Sequence, residues 1–302
     1  MAEKPILVAG KSGQLARCLR DLALLRNVPM VAVGRPELDV ENGEGIDRVT
    51  AAVGPSAIVN AAAYTAVDRA EAEPERAFAV NCDGAALLAG AAARRGIPFI
   101  QISTDYVFDG SKPSPYREDD LPAPLNVYGS SKLASEAAVL KACPGAAVIR
   151  TSWVYSPYGN NFVRTMLRLS ETQAVVRVVG DQYGAPTFAA DLAAAMLAIV
   201  ERLRSSNGSG EAGIYHLAGD GETSWHGFAA AIFASLARRG RRAPSLQAIT
   251  TAEYPTPARR PRYSCLDSSK AERIFGVRLP PWRSSLEECL DRLEMLRGLQ
   301  AC

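Results

Sequence analysis

The sequence predicts an α/β fold, a doubly wound parallel sheet with helices on both faces and a smaller lobe built from C-terminal segments. Three observations predict it. Short apolar runs of strand length alternate with helical patterns through the first half of the chain. A glycine turn joins the first run directly to the first helix. Beyond about residue 150 the alternation gives way to less regular helix, loop and proline-rich stretches. The 302 residues, 48% hydrophobic and 22% charged, can bury a full core, so neither a disulfide scaffold nor a disordered chain is expected.

Each element has its own justification. Pro5–Ala9 is a short apolar run, and Gly10–Gly13 leads from it into a helical pattern through Leu15, Leu19, Leu22 and Leu25. Further strand-like runs are Met30–Val33, Ile58–Asn60, Phe99–Ser103 and Ala147–Thr151. Helical stretches separate most of them, near Ile46–Val53, Glu75–Arg95 and Val127–Lys141. The alanine-rich Gly84–Arg95 reads as a helix packed closely on the sheet. In the second half, Val175–Val179 and Ile214–Leu217 read as strands and Asp191–Arg204 as a helix, followed by the turn-rich Ser205–Gly213. From Thr223 onward come a helix, a loop, the proline- and arginine-rich Tyr254–Arg262 and a closing helix over Ser285–Leu299. Residues 1–150 are therefore expected to form a nucleotide-binding core, with added strands from about 172–218. Residues 151–171 and 219–302 are expected to form the lobe.

Composition excludes several function classes. Lys plus Arg (34) nearly balance Asp plus Glu (32), and a net charge of +2 gives no reason to expect nucleic-acid binding. No apolar run approaches the ~20 residues of a membrane span. The Met1–Pro5 start runs straight into a strand, so no signal peptide is expected. Cys18, Cys82, Cys143, Cys265, Cys289 and Cys302 are scattered, which fits reduced thiols of a cytoplasmic protein. His216 and His226 are the two histidines, and no local His/Cys/Asp cluster has metal-ligand spacing. A zinc enzyme or a Ser-His hydrolase is not expected unless one of them is recruited from a distance.

Three short stretches carry chemistry. Gly10-Lys11-Ser12-Gly13-Gln14-Leu15-Ala16 follows a strand and opens a helix, as a dinucleotide-binding turn requires. Its spacing is G-x-x-G-x-x-A, and a glycine turn alone is about as often only a turn. After the second strand comes Gly34-Arg35-Pro36-Glu37-Leu38-Asp39. This point lies beside the adenosine ribose in a Rossmann-type fold, where an Arg accommodates the 2′-phosphate of NADP. Arg35 therefore favours NADPH, with NADH also acceptable, while Asp39 could contact adenine or cap the following segment. Tyr128-Gly129-Ser130-Ser131-Lys132 gives Tyr-x-x-x-Lys, which puts phenol and ammonium on one helix face. The cation is expected to lower the phenol pKa so that the pair can shuttle a proton. Chance gives the same spacing in many helices. It gains weight from Ser103-Thr104-Asp105 at the end of the fourth strand, since ligands of open parallel sheets bind beyond the carboxyl ends of strands.

With these pieces in order, the sequence resembles the extended short-chain dehydrogenase/reductases, and within them the dTDP-4-dehydrorhamnose reductases. The resemblance runs nearly end to end, through GKSGQLA (10–16), STDYVFDG (103–110), PLNVYGSSKLASE (124–136), IRTSWVY (149–155), DQYGAPT (181–187), YHLAGDGETSWHGFA (215–229) and YPTPARRPRYS (254–264). It implies a catalytic set of Thr104, Tyr128 and Lys132. It implies a pyrophosphate turn at Gly10, Gly13, Gln14 and Leu15, and cofactor-lining positions at Asp39, Ala61, Ala62, Ala63 and Tyr64. Lys132 is also implied to hold the nicotinamide ribose hydroxyls. Thr65, Val67, Asp105, Tyr106 and Trp153 match positions around the dTDP-sugar substrate. Arg259, Arg260 and Arg262 are candidates for its diphosphate, because guanidinium groups match phosphate oxygens.

The chain also departs from the family. Some members carry a first-helix glutamate that helps hold magnesium at a dimer contact, and Cys18 stands at the matching position. A thiol is a poor ligand for that hard cation, so no metal is expected, and the chain is expected to be a monomer or a homodimer. The implied reaction is NADPH-dependent reduction of a C4 keto sugar with Tyr128 as proton donor. Alternatives on the same scaffold are another nucleotide-sugar reductase, a 4-epimerase, or a non-catalytic NADP-binding regulatory subunit.

Overall fold

Six short strands, β1 (Ile6–Ala9), β2 (Met30–Val33), β3 (Ala57–Asn60), β4 (Phe99–Thr104), β5 (Ala147–Thr151) and β6 (Gly213–His216), form one sheet in the spatial order β2-β1-β3-β4-β5-β6. Every pairing in it is parallel, with Ile6 of β1 opposite Met30 on one side and Ala57 on the other. The computed structural model describes residues 3–205 and 211–300. Met1, Ala2, Ala301, Cys302 and residues 206–210 of the expected turn-rich stretch lie outside the described residues.

β1, β3 and β5 are buried along their whole length on both faces, which is why they read as continuous apolar runs. Along β1 the side chains alternate between two cores. Ile6 and Val8 pack with Leu15 and Leu19 of α1 (Gln14–Arg26). Leu7 and Ala9 face Ile46 of α2 (Gly43–Val53), Leu88 of α3 (Gly84–Arg95) and Val139 of α4 (Val127–Ala142). In α3, Ala85, Ala89, Ala91 and Ala92 are fully buried, so the small side chains let the helix lie close to the sheet. The strand order reverses beside β1, since β2 lies on one side of it and β3 on the other. The crevice opened by such a reversal is where ligands of doubly wound sheets bind.

A second apolar cluster builds the lobe. It joins α5 (Phe162–Thr172), α7 (Trp225–Arg238) and α9 (Trp282–Gln300), whereas α6 (Ala189–Ser205) packs with α1 in the core cluster. Here the structure corrects one expectation. Gly213–His216 joins the central sheet as expected, but Val175–Val179 does not. That strand pairs in parallel with Ser245–Ile249 and packs inside the lobe. The reason lies in its faces: Val175 and Arg177 are exposed while Val176 and Val178 are buried, the pattern of a strand covered on one side only. One further helix, α8 (Ser269–Phe275), packs against the core.

Candidate active site

The loops that follow β1, β2 and β3 meet at the reversal point. Gly10 has φ +104°, and a Cβ there would lie 3.1 Å from the backbone of Ala61 and Ala62. A Cβ on Gly34 would lie 3.1 Å from the Lys11 backbone nitrogen. Glycine is what lets these backbones approach so closely. Gly13 caps α1 without a side-chain hydrogen bond, leaving the first-turn N–H groups free of a side-chain partner. Gln14 bridges core and lobe: its Oε1 accepts from Ser156 Oγ at 2.8 Å and Asn161 Nδ2 at 3.0 Å. Leu15 is buried behind it.

Around the expected ribose position, Lys11 Nζ donates to Glu37 Oε2 at 2.6 Å and Arg35 is exposed. Asp39 Oδ1 accepts from the Glu41 N–H at 3.1 Å within the turn, while Asn42 caps α2, its Oδ1 accepting from the Gly45 N–H at 3.0 Å. The Ala62 N–H donates to Asn60 Oδ1 at 3.1 Å, which shapes the loop after β3. Tyr64 is clamped through its backbone by Asn81, at 2.8 and 3.1 Å, and its phenol donates to Glu73 Oε2 at 2.9 Å. Asn81 also donates to Ser131 Oγ at 2.9 Å and so ties this loop to α4. It sits in a single π-helical turn, Ala79–Asp83, ahead of α3. Sequence reasoning missed Asn81, because its partners are far away along the chain.

A cleft of about 670 Å³ runs between core and lobe. From the core it is lined by Gly13, Gln14, Ala61–Ala63, Thr65 and Val67. Thr104, Tyr128 and Lys132 converge on the same cleft, with Asp105, Tyr106 and Trp153 around them. Thr104 ends β4, while Tyr128 and Lys132 lie in the first two turns of α4. The cap of α4 is Asn126, whose Oδ1 accepts from Gly129 N–H at 2.7 Å and whose Nδ2 donates to the Arg259 carbonyl at 2.8 Å.

The electrostatics differ from the expectation for Tyr-x-x-x-Lys. Burial pushes the Tyr128 phenol up to about 12, opposed by a side-chain hydrogen bond with Thr104. Lys132 does not lower it: its ammonium donates to the Ile102 carbonyl at 2.6 Å. Desolvation lowers Lys132 to about 8, and Glu136, one helical turn further on, opposes that fall. Spacing put the two side chains on one face, but removal from water decides their proton affinities.

On the lobe side, Trp153 adopts φ +46° and stacks on Trp225, with ring centroids 3.5 Å apart and planes 7° from parallel. Gly184 makes room for this ring, since a Cβ there would come within 2.5 Å of it. Trp225 lines the cleft and was not among the residues singled out from sequence; it falls inside the 215–229 stretch that carried the resemblance. Of the three arginines, Arg260 turns inward. Its guanidinium donates to Asp68 Oδ2 at 2.8 Å and to the Ala258 carbonyl at 3.1 Å. Arg259 and Arg262 are exposed. Asp105 is 2% exposed and engaged on both carboxyl oxygens, by Thr104 Oγ1 at 3.1 Å and Ser264 Oγ at 2.6 Å.

No group of three or more His, Cys, Asp or Glu side chains is gathered for a metal ion among the described residues. Cys18 is buried and its thiol is pushed up to about 12 by desolvation, so it stays neutral rather than becoming a thiolate ligand. No described helix is long and apolar enough to cross a membrane.

Comparison with known proteins agrees with this architecture. Residues 4–295 match the family model described as the RmlD substrate binding domain. The chain is 48% identical over 296 residues to a dTDP-4-dehydrorhamnose reductase of Sinorhizobium fredii, covering 98% of this chain and 99% of that protein. It is 43% identical over 296 residues to the enzyme of the same name from Burkholderia thailandensis, covering 95% and 98%. Among solved structures, the dTDP-4-dehydrorhamnose reductase of Bacillus anthracis in complex with NADP superposes with a TM-score of 0.88 at 34% identity, covering 96% of this chain and 100% of that one.

Proposed function

Because the chain belongs to the dTDP-4-dehydrorhamnose reductase family, we propose that it reduces the C4 keto group of dTDP-4-dehydro-L-rhamnose to give dTDP-L-rhamnose, with NADPH as reductant. The observation that carries this reading is the convergence of Thr104, Tyr128 and Lys132 on the cleft that the glycine turn opens. The residues present fit a dinucleotide. The close backbone approach at Gly10, Ala61 and Ala62 is a cradle that any side chain would fill, and the α1 N-terminus offers N–H groups to a diphosphate. Gly13, Gln14 and Ala61–Ala63 would line it, with Lys132 at the nicotinamide ribose. Lys11 and Arg35 offer positive charge for a 2′-phosphate, while Glu37 already neutralises Lys11. That balance supports use of both NADPH and NADH.

When bound, the cofactor supplies the hydride to the C4 carbonyl carbon. The protein's part is positioning and proton supply. The raised Tyr128 affinity keeps its proton in place at neutral pH, so the phenol is available as the acid for the forming alkoxide. Lys132, its ammonium held by the Ile102 carbonyl, stands ready for the nicotinamide ribose, and Thr104 orients the carbonyl oxygen. The Trp153–Trp225 pair presents an aromatic wall to the sugar. The five described cysteines are all free thiols, which supports action in a reducing compartment, the cytoplasm.

The test is NADPH oxidation by the purified chain, supplied with dTDP-4-dehydro-6-deoxy-glucose and the matching 3,5-epimerase, with NADH run in parallel. Consumption that requires the epimerase is expected. Consumption without it points to reduction of a different deoxysugar, and none at all, with NADP still bound, points to an epimerase or a regulatory subunit. Tyr128→Phe is expected to fold and to lose at least about 100-fold in kcat. Near-wild-type turnover would remove Tyr128 from the acid role.

A further inference from the structure

Buried polar side chains are ordinarily hydrogen-bonded, so each exception calls for a reason. Among the described residues, two buried side-chain oxygens have no hydrogen-bond partner, Ser135 Oγ and Thr151 Oγ1. Ser135 lies within α4 and does not line the cleft. Thr151 is different: it ends β5 and lines the cleft. It is 5% exposed, and almost none of that exposure belongs to its hydroxyl oxygen. A single step about χ1 carries the hydroxyl to the position the methyl held, and a strand leaves more than one such position open. The hydroxyl can therefore turn to a ligand that enters the cleft.

Three placements say what that ligand is. Thr151 stands directly opposite Thr104 in the parallel register of β4 and β5, with Ile149 opposite Ile102. Alternation along the strands puts these four side chains on one face of the sheet. Lys132 is anchored in the same corner, on the Ile102 carbonyl at 2.6 Å. The strand order supplies the second placement. Thr151 lies three strand spacings from β1, about 14 Å, on the side away from β2 and Arg35. A dinucleotide held by its diphosphate at the glycine turn, with its adenosine end beside Arg35, sends its nicotinamide end toward β4 and β5. Third, the corner is apolar: Ile102, Val154 and Leu192 line the cleft and pack with the core cluster. A flat ring with one polar edge fits there better than a sugar, each of whose hydroxyls needs a partner.

We propose that Thr151 is a positioning residue for the cofactor, its hydroxyl hydrogen-bonding the carboxamide of the nicotinamide ring. This rests on the reading that the cleft takes a nicotinamide dinucleotide. A hydroxyl both donates and accepts, and so does a primary carboxamide, so the pair is satisfied in either orientation. Holding the carboxamide fixes which face of the ring is turned to the sugar.

The test is calorimetric titration of the wild type, Thr151→Val and Thr151→Ser with three ligands. They are NADP, 2′-phospho-ADP-ribose, which lacks the nicotinamide, and dTDP-L-rhamnose. Valine keeps the shape of threonine without the hydroxyl, and serine keeps the hydroxyl. Thr151→Val should weaken NADP roughly three- to tenfold and leave 2′-phospho-ADP-ribose within about twofold of wild type. Thr151→Ser should restore most of the NADP affinity. A merely structural role would move both nucleotides alike or neither. The Tm of the apoprotein should stay the same or rise in Thr151→Val, because the variant removes an unpaired polar group. Equal NADP affinity in wild type and Thr151→Val would overturn the proposal. So would an equal loss for both nucleotides, or a loss confined to dTDP-L-rhamnose, which would give the hydroxyl to the sugar. Should Thr151→Val not fold, Thr151→Ser against Thr151→Ala supplies the same comparison. A wild type that binds no NADP removes the dinucleotide reading itself. A wild type that binds NADP no better than Thr151→Val removes the role of Thr151 alone.

Discussion

Glu136 and Arg150 are charged side chains in a place that water does not reach, 3% and 1% exposed. They satisfy each other in a two-pronged contact, Nε to Oε1 at 2.8 Å and Nη2 to Oε2 at 2.7 Å. Ser103, next to Thr104, donates to the same carboxylate. On its far side Arg150 reaches His216 Nε2 at 3.4 Å, and the His216 Nδ1–H donates to the Tyr116 carbonyl at 3.0 Å. Burial, together with the Arg150 charge, lowers His216 to about 3, so it stays neutral and accepts from the guanidinium. The chain of contacts fixes β4, α4, β5 and β6 to one another directly beneath Thr104 and Lys132. Glu136→Gln strands the Arg150 charge and should cost roughly 3–5 kcal/mol in urea unfolding, whereas Glu136→Leu with Arg150→Met should recover most of that loss. A single variant within about 1 kcal/mol of wild type would show that water reaches the pair.

At the scale of elements, the site depends on how closely α4 approaches the end of β4. Gly129 permits the approach, since a Cβ there would lie 2.2 Å from the Tyr106 carbonyl oxygen. In a solvated helix, replacing Gly by Ala usually gains about 1 kcal/mol from propensity. Gly129→Ala should do the opposite. It should lower the Tm, and it should reduce kcat because Tyr128 moves with the helix. Gly90→Ala in α3 is the matched control, because its Cβ would meet only the flexible end of Arg94, at 3.3 Å, and should be neutral or mildly stabilising. Thermal unfolding and turnover of the two variants check the argument. Equal responses would mean that the helix shifts without cost.

At the scale of the molecule, the cleft exists because core and lobe meet along a seam stitched by polar contacts. Gln14 of α1 holds Ser156 and Asn161 of the lobe segment, and the short strand Val154–Tyr155 pairs with Thr187–Phe188 beside it. The Trp153–Trp225 stack faces the cleft, while Trp282 is buried in the lobe core. Intrinsic fluorescence should therefore report ligand entry. Titration with dTDP or the product sugar nucleotide should change the emission saturably, and Trp225→Phe should remove more than half of the change. An undiminished response would place the ligand away from the stack.

The sequence by itself determined the alternating strands and helices, because a strand covered on both faces must be apolar throughout and a helix between such strands must carry an apolar stripe. It also determined the glycine turn and the placing of Tyr128 and Lys132 on one helix face, since these depend on spacings of a few residues. Tertiary structure alone decided the rest. The pairing of Val175–Val179 with Ser245–Ile249, the clamp of Asn81 on Tyr64 and the stacking of Trp153 on Trp225 join segments far apart in the chain. The proton affinities of Tyr128, Lys132 and Asp105 were equally out of reach of spacing. They follow from how completely the folded chain removes each group from water and which partner it supplies in return. For Asp105 that partner, Ser264, lies 159 residues away.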